Sequence, residues 1–242
     1  MIRVESLAKH FGEVRAVERV SFEAQNGCIT GLLGPNGAGK TTTLRMISTL
    51  VAPTGGTAWV DEFDIHGDPL RVRERLGMLT DARGLYVRLT ARENIAYYGK
   101  LRGMAPGALA ASIERLADRL DMHALLERRV DGFSQGEKMK VSIARALVHD
   151  PPNVVLDEPT NGLDVMTTRS LRDVIRRLRE EGKCVLFSSH VMQEVSALCD
   201  LIVIIAHGVV VASGRAEELL AASGAGNLED AFVALTGEKL SA

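Results

Sequence analysis

The chain has 242 residues, enough for one large domain or two small ones. Hydrophobic residues make up 46% and charged residues 25%, the balance of an ordinary soluble globular chain. With 29 Lys and Arg against 31 Asp and Glu, the formal charge is −2, which argues against sequence-independent binding to nucleic acid, an activity that needs a basic surface. Cys28, Cys184 and Cys199 have no CxxC spacing and no histidine cluster nearby, so they read as small buried apolar residues and not as zinc ligands. No signal-peptide pattern follows Met1, and the longest apolar run, 201–206, is far short of the roughly 20 residues that span a bilayer. The expectation is a cytoplasmic chain that reaches a membrane only through a partner.

Short β-rich runs alternate with helix-period stretches and no internal repeat is found, which predicts an α/β fold. Residues 28–33 read as a buried strand that enters a Gly-rich turn. A helix follows over 40–51, with Leu44, Ile47 and Val51 at helical spacing. Residues 90–150 are helical in pattern without a clear strand: Pro106-Gly107 breaks the chain, and Ile113, Leu116, Ala117 and Leu120 then form one apolar stripe. A second buried strand covers 153–156. The helix over 165–181 places Leu171, Val174, Ile175 and Leu178 on one face, and Gly182 stops it. A third buried strand covers 183–188, and strands 201–206 and 209–212 flank a tight turn at His207-Gly208. Residues 221–227 read as a loop before a short terminal helix. Consecutive apolar strands predict a sheet covered on both faces. We expect one domain over 1–242, with a helical subdomain inserted at about 90–150 and a short tail from about 221.

Gly34-Pro35-Asn36-Gly37-Ala38-Gly39-Lys40-Thr41 fits G-x-x-x-x-G-K-[ST], and it follows a strand and opens a helix. Phosphate oxygens carry charge that must be neutralised. Glycines let backbone N–H groups converge on them, and a helix start adds about half a positive charge. Lys40 supplies a full charge for the β and γ phosphates, and the Thr41 hydroxyl suits Mg²⁺, a hard cation. Candidate nucleotide contacts run through Thr42. The alternative is an ordinary Gly-rich turn before a helix.

Val154-Val155-Leu156-Asp157-Glu158 puts two acids at the carboxyl end of an apolar strand, where open α/β sheets bind ligands. Asp157 suits Mg²⁺, and Glu158 suits the attacking water. The bland alternative is an acidic loop opening before Pro159.

Five further segments line up in order: Phe11, Leu85-Tyr86 with Arg88-Leu89-Thr90 and Arg92-Glu93-Asn94, Ser134-Gln135-Gly136-Glu137, Asn161-Gly162-Leu163-Asp164, and Ser188-Ser189-His190. With the phosphate loop and the acids, this order resembles the ATP-binding subunit of ATP-binding-cassette (ABC) transporters over nearly the whole chain. Residues 79–95 and 144–151 are similar to sodium-export, NatA-type subunits. The resemblance implies a P-loop NTPase core sheet with an inserted helical subdomain, ATP and Mg²⁺ as ligands, and hydrolysis that powers transport, with export of sodium, a drug or another solute. It implies a homodimer or a paired ABC subunit, a separate transmembrane permease, a place on the inner face of the cell membrane, and no nucleic acid. Each ATP would lie between the phosphate loop of one subunit and the Ser134, Gly136 and Glu137 segment of the other. Lys40, Glu158 and His190 would be catalytic, and Thr41, Asp81 and Asp157 would hold the metal.

By the same resemblance Phe11 stacks on adenine; the alternative is a strand-end core residue. His190 would touch the γ-phosphate or hold Glu158, with a structural histidine as the alternative. Asp164 would face the other subunit, cap the helix after it, or both. Ser134-x-x-Glu137 is a capping box, so Ser134 marks a second anion-binding helix start, or it only caps. A docking groove for the membrane subunit is expected on the helical segment and the loop 81–92. Tyr97, Tyr98, Leu101 and Met104 are its candidate contacts, unless they pack the subdomain core.

The chain departs from the family pattern at three places. Asp81 stands where Gln is usual, and a carboxylate cannot donate to the attacking water; in another register Asp81 is a solvated loop acid. Gln135 replaces a Gly, adding bulk where backbone would approach phosphate. Glu137 replaces a Gln, adding a charge that the helix dipole and Lys138 would offset. Two other classes stay open. A soluble ABC-type ATPase acting on nucleic acid or ribosomes usually carries a second cassette or a coiled-coil insertion. A small-molecule kinase would leave the Ser134 segment and His190 without a task.

Overall fold

The computed structural model describes residues 1–79 and 84–237. It opens with β1 (Ile2–Phe11), β2 (Val14–Ala24), β3 (Ile29–Leu33), α1 (Lys40–Ile47), β4 (Gly55–Val60), β5 (Phe63–Asp64), α2 (Pro69–Arg75) and β6 (Leu76–Leu79). Three helices follow, α3 (Ala91–Leu101), α4 (Pro106–Arg119) and α5 (Gln135–Leu147), with a single 3-10 turn at His123–Leu125. Strands and helices then alternate: β7 (Asn153–Asp157), α6 (Val165–Glu180), β8 (Cys184–Ser189), α7 (Met192–Leu198), β9 (Leu201–Ala206), β10 (Val209–Gly214), α8 (Ala216–Ser223) and α9 (Leu228–Thr236).

Among the described residues the strands form one sheet in the order β5-β4-β1-β2-β10-β9-β3-β8-β7-β6. The run β9-β3-β8-β7-β6 is parallel, and β5-β4-β1-β2 is an antiparallel arm. The two halves meet through β10, which pairs antiparallel with β9 and bridges to β2 at Val209 and Arg19.

The parallel strands are buried on both faces, and the two-residue period of a strand decides which side chain goes where. Ile29 and Leu33, Val154 and Leu156, and Val185 and Phe187 point into one hydrophobic core. Leu32, Val155 and Leu186 point into the other. The first core also takes Ile95 of α3, Ile113 and Leu116 of α4, Val141 of α5 and Leu171, Ile175 and Leu178 of α6. The stripe Ile113, Leu116, Ala117 and Leu120 is buried as its spacing predicts. The second core is covered by α1, through Leu44 and Ile47, and by the antiparallel arm.

Several features differ from expectation. Helix α1 ends at Ile47, not at 51, because Thr49 turns left-handed at φ 58° and the N–H groups of Leu50 and Val51 both donate to the Arg45 carbonyl. Residues 221–223 are the last turn of α8, closed by Gly224 in the left-handed region; the loop is confined to 224–227. The antiparallel arm is absent from the sequence reading. Its β1 carries register shifts between Val4 and Leu7 and again beyond, so its apolar alternation is broken.

Candidate active site

The register of the parallel strands brings the site together. Leu33 pairs with Ser189, and Asp157 pairs with Ser188, so the carboxyl ends of β3, β7 and β8 lie side by side. The chain leaves those ends as the glycine loop, as Glu158 and as His190.

Gly34, Pro35, Asn36, Gly37, Ala38 and Gly39 connect β3 to α1. Gly39 is required on two grounds: its φ is 101°, and an added Cβ would sit 2.6 Å from the Ala16 carbonyl oxygen on β2. The His207-Gly208 turn supports the loop from below, since Gly208 N–H donates to the Ala38 carbonyl at 3.1 Å. Lys40 is only 4% exposed. Its Nζ donates to the carbonyls of Gly34 (2.7 Å) and Pro35 (3.1 Å) and lies 3.3 Å from Glu158 Oε1. Thr42 follows, half-buried, in the first turn of α1.

Thr41 Oγ1 donates to Asp157 Oδ1 at 3.1 Å. The other Glu158 oxygen, Oε2, lies 2.9 Å from His190 Nδ1. A carboxylate only accepts, so the Nδ1–H of His190 is the donor. Lys40, Glu158 and His190 thus form one continuous polar chain beside the Thr41–Asp157 pair. Glu158 itself holds a left-handed backbone, φ 44°, a conformation that costs about 1–3 kcal/mol in a residue with a side chain.

Ser188 is not among the predicted site residues, yet it joins the two acids. Its hydroxyl donates to Asp157 Oδ1 at 2.7 Å and accepts from the Glu158 N–H at 2.9 Å. The only sequence signal was its place two residues before His190 at a strand end.

The Ser134 segment sits at the start of α5. The capping box is formed: Ser134 N–H donates to Glu137 Oε2 at 2.8 Å, and Glu137 N–H donates to Ser134 Oγ at 3.2 Å. These bonds, those to the backbone of Ser134 foremost, and Arg128 hold the Glu137 carboxyl below its ordinary pKa. The cation paired with it is Arg128, at 3.1 Å, and not the expected Lys138. Gly136 is also where α5 crosses α6, since an added Cβ would meet the Thr167 hydroxyl at 3.0 Å. Gln135 lies against Gly162. Thr41, Asp157, Glu158, Gln135, Lys138 and Gly162 all line one cavity of about 660 Å³.

Asp164 caps α6, accepting from Thr167 N–H at 2.9 Å and Thr167 Oγ1 at 2.7 Å. Beside it Val165 and Met166 are 82% and 69% exposed, apolar residues that no sequence signal marked. Phe11 is at the end of β1, 51% exposed, with Lys9 Nζ 5.0 Å from its ring centre. It is therefore not the core residue of the alternative reading. Asp81 lies outside the described residues. Of the four candidate docking residues, Tyr97 and Leu101 are exposed, whereas Tyr98 and Met104 pack against the first core.

A glycine loop between a buried parallel strand and a helix, with a lysine folded into it and a carboxylate pair at the end of β7, one strand beyond β8 in the same sheet, defines a P-loop nucleotide-hydrolysing protein. Comparison with known proteins narrows the class. The model of the ABC transporter family matches residues 17–161. The chain is 45% identical over 224 residues to the ABC transporter ATP-binding protein NatA of Bacillus subtilis (strain 168), covering 90% of this chain and 91% of that protein. It is 36% identical over 224 residues to the Nod factor export ATP-binding protein I of Ralstonia nicotianae, covering 91% and 68%. A solved ATP-binding subunit of an ABC transporter superposes with a TM-score of 0.89 at 26% identity, covering 97% of this chain and 99% of that one. The chain belongs to the ABC transporter family, as an ATP-binding, ATP-hydrolysing subunit. Among the described residues no helix is long and apolar enough to cross a membrane.

Proposed function

We propose that two copies of this chain, or this chain and a paired ABC subunit, close around two ATP molecules and drive export through a separate membrane subunit. The observation that carries this reading is the chain Lys40–Glu158–His190, with spacings of 3.3 and 2.9 Å, beside Thr41 and Asp157. Thr41 and Asp157 present only oxygen atoms, a donor set suited to Mg²⁺, which when bound neutralises charge on the phosphates. Lys40 neutralises the β and γ phosphates. Glu158 orients the attacking water and accepts its proton, and His190 holds Glu158 in place beside the γ-phosphate. Phe11 offers an exposed ring on which adenine stacks, a contact worth about 1–3 kcal/mol.

The second copy supplies the start of α5. Its capping box satisfies Ser134 and Glu137, which leaves the N–H groups of Gln135 and Gly136 for phosphate. Val165 and Met166, beside Asp164, give the paired surface its apolar contacts. The membrane subunit docks on Tyr97 and Leu101 and on the neighbouring cavity of about 250 Å³. Arg73, Arg102 and Arg145 line that cavity, and no acid is among its described lining residues, so the docking element carries an acidic side chain. This attachment places the chain on the cytoplasmic face of the membrane. The solute is chosen by the membrane subunit; the relative named for Nod factor export supports the outward direction.

Two measurements test the reading. Glu158→Gln should retain ATP, accumulate as a dimer and release no phosphate; undiminished release overturns the role of Glu158. The wild-type rate per chain should fall on dilution. A rate indifferent to concentration, from a stable monomer, overturns the paired site.

A further inference from the structure

Helix α7 carries one residue that its packing does not explain. Glu194 is 6% exposed, on the face that also buries Val195 and Leu198. Burying a carboxylate costs free energy that an apolar side chain at the same place would not. Its Oε2 accepts two hydrogen bonds, from Thr160 Oγ1 at 2.5 Å and from Ser189 Oγ at 3.1 Å. Ser189 Oγ in turn accepts from the Val191 N–H at 3.0 Å.

The positions of the two donors are informative. Thr160 is two residues after Glu158, and Ser189 is the residue before His190. The Glu158–His190 hydrogen bond and the Thr160–Glu194–Ser189 link therefore join the same two backbone segments, one bond at the catalytic pair and one behind it. A cavity of about 130 Å³ lies between them, lined by Glu158, Thr160, Ser189, His190 and Glu194. Glu158 needs such support, since its left-handed backbone is held against its own preference.

We infer that Glu194 is a positioning residue, one that fixes the distance between Glu158 and His190 by tying Thr160 to Ser189. The inference rests on the roles given above to Glu158 and His190. Both hydroxyls converge on a single oxygen, so acceptance, not charge, is what the position requires. An amide carbonyl would serve as well.

The test measures steady-state ATP hydrolysis by the full chain. Glu194→Ala and Thr160→Val should each lower kcat about ten- to a hundredfold, with KM for ATP within about twofold, because a displacement near 1 Å at reacting groups has effects of that size. The double variant should fall no further than the lower single one, as expected for two residues in one link. Glu194→Gln should hold kcat within about twofold. Thr160→Val removes one hydroxyl without changing shape, and it carries the test if Glu194→Ala does not fold. Parental kcat in Thr160→Val, a rise in KM with kcat held, or a Glu194→Gln variant as slow as Glu194→Ala each overturn the proposal. Glu158→Gln is measured alongside: if it still releases phosphate, the catalytic reading has failed. If it is inactive while Thr160→Val is unaffected, only the role of Glu194 has failed.

Discussion

Removing the Ser188 hydroxyl breaks the joint between the two acids. That hydroxyl donates to the Asp157 carboxylate at 2.7 Å and accepts from the Glu158 N–H at 2.9 Å. A bond to a charged group contributes about 1.5–3 kcal/mol and a neutral one about 0.5–1.5 kcal/mol. Ser188 is fully buried, so no solvent replaces it, and Ser188→Ala should destabilise the fold by about 2–4 kcal/mol. In a chain of this size that lowers Tm by roughly 4–16 °C. The freed N–H belongs to Glu158, at φ 44°. If half of the loss is felt in the transition state, kcat falls about five- to thirtyfold. Calorimetry and phosphate release measure the two effects. Ser188→Thr keeps the oxygen, and its branched Cβ suits a strand, so it should restore both. A Ser188→Ala variant with parental Tm and kcat would refute the reasoning.

Other consequences are equally direct. Gly39→Ala combines a φ of 101° with a Cβ 2.6 Å from the Ala16 carbonyl; it should cost at least about 2 kcal/mol and abolish nucleotide binding, read by Tm and by titration with ATP. His149 is pushed from 6.5 to about 4 by burial foremost and by the charge of Arg102. The folded chain keeps it neutral while the unfolded chain protonates it below pH 6.5. Stability from this group is therefore full above 6.5 and is lost as pH falls toward 4, by up to about 3 kcal/mol. His149→Gln should flatten urea midpoints across that window, and an unchanged slope would count against it. Leu101→Asp should lose the co-expressed membrane subunit on purification while ATP affinity holds, since Leu101 is exposed and remote in sequence from the phosphate loop. Retention of the membrane subunit would move the docking surface elsewhere.

Much of the site was legible because its chemistry is local. Gly34 to Thr41 must form one turn and one helix start, and Asp157 and Glu158 must end one strand; spacing alone states both. The capping box at Ser134 and the cap at Asp164 are likewise written within four residues. What joins Glu158 to His190, 32 residues apart, is the register of β7 against β8, and no pattern along the chain encodes a register between two uniformly apolar strands. The roles of Ser188 and Glu194 arise in the same way: Ser188 meets Asp157 and Glu158 across the sheet, and Glu194 meets Thr160 on the segment after Glu158.

The sequence by itself determined the phosphate loop, the acidic pair, the helix caps and the buried parallel strands, since each depends on neighbours a few residues away. Only the tertiary structure decided which charge meets Glu137, which of Tyr97, Tyr98, Leu101 and Met104 face outward, and how Ser188 and Glu194 brace the acids. Those outcomes depend on packing between distant segments, where burial and register outweigh local preference.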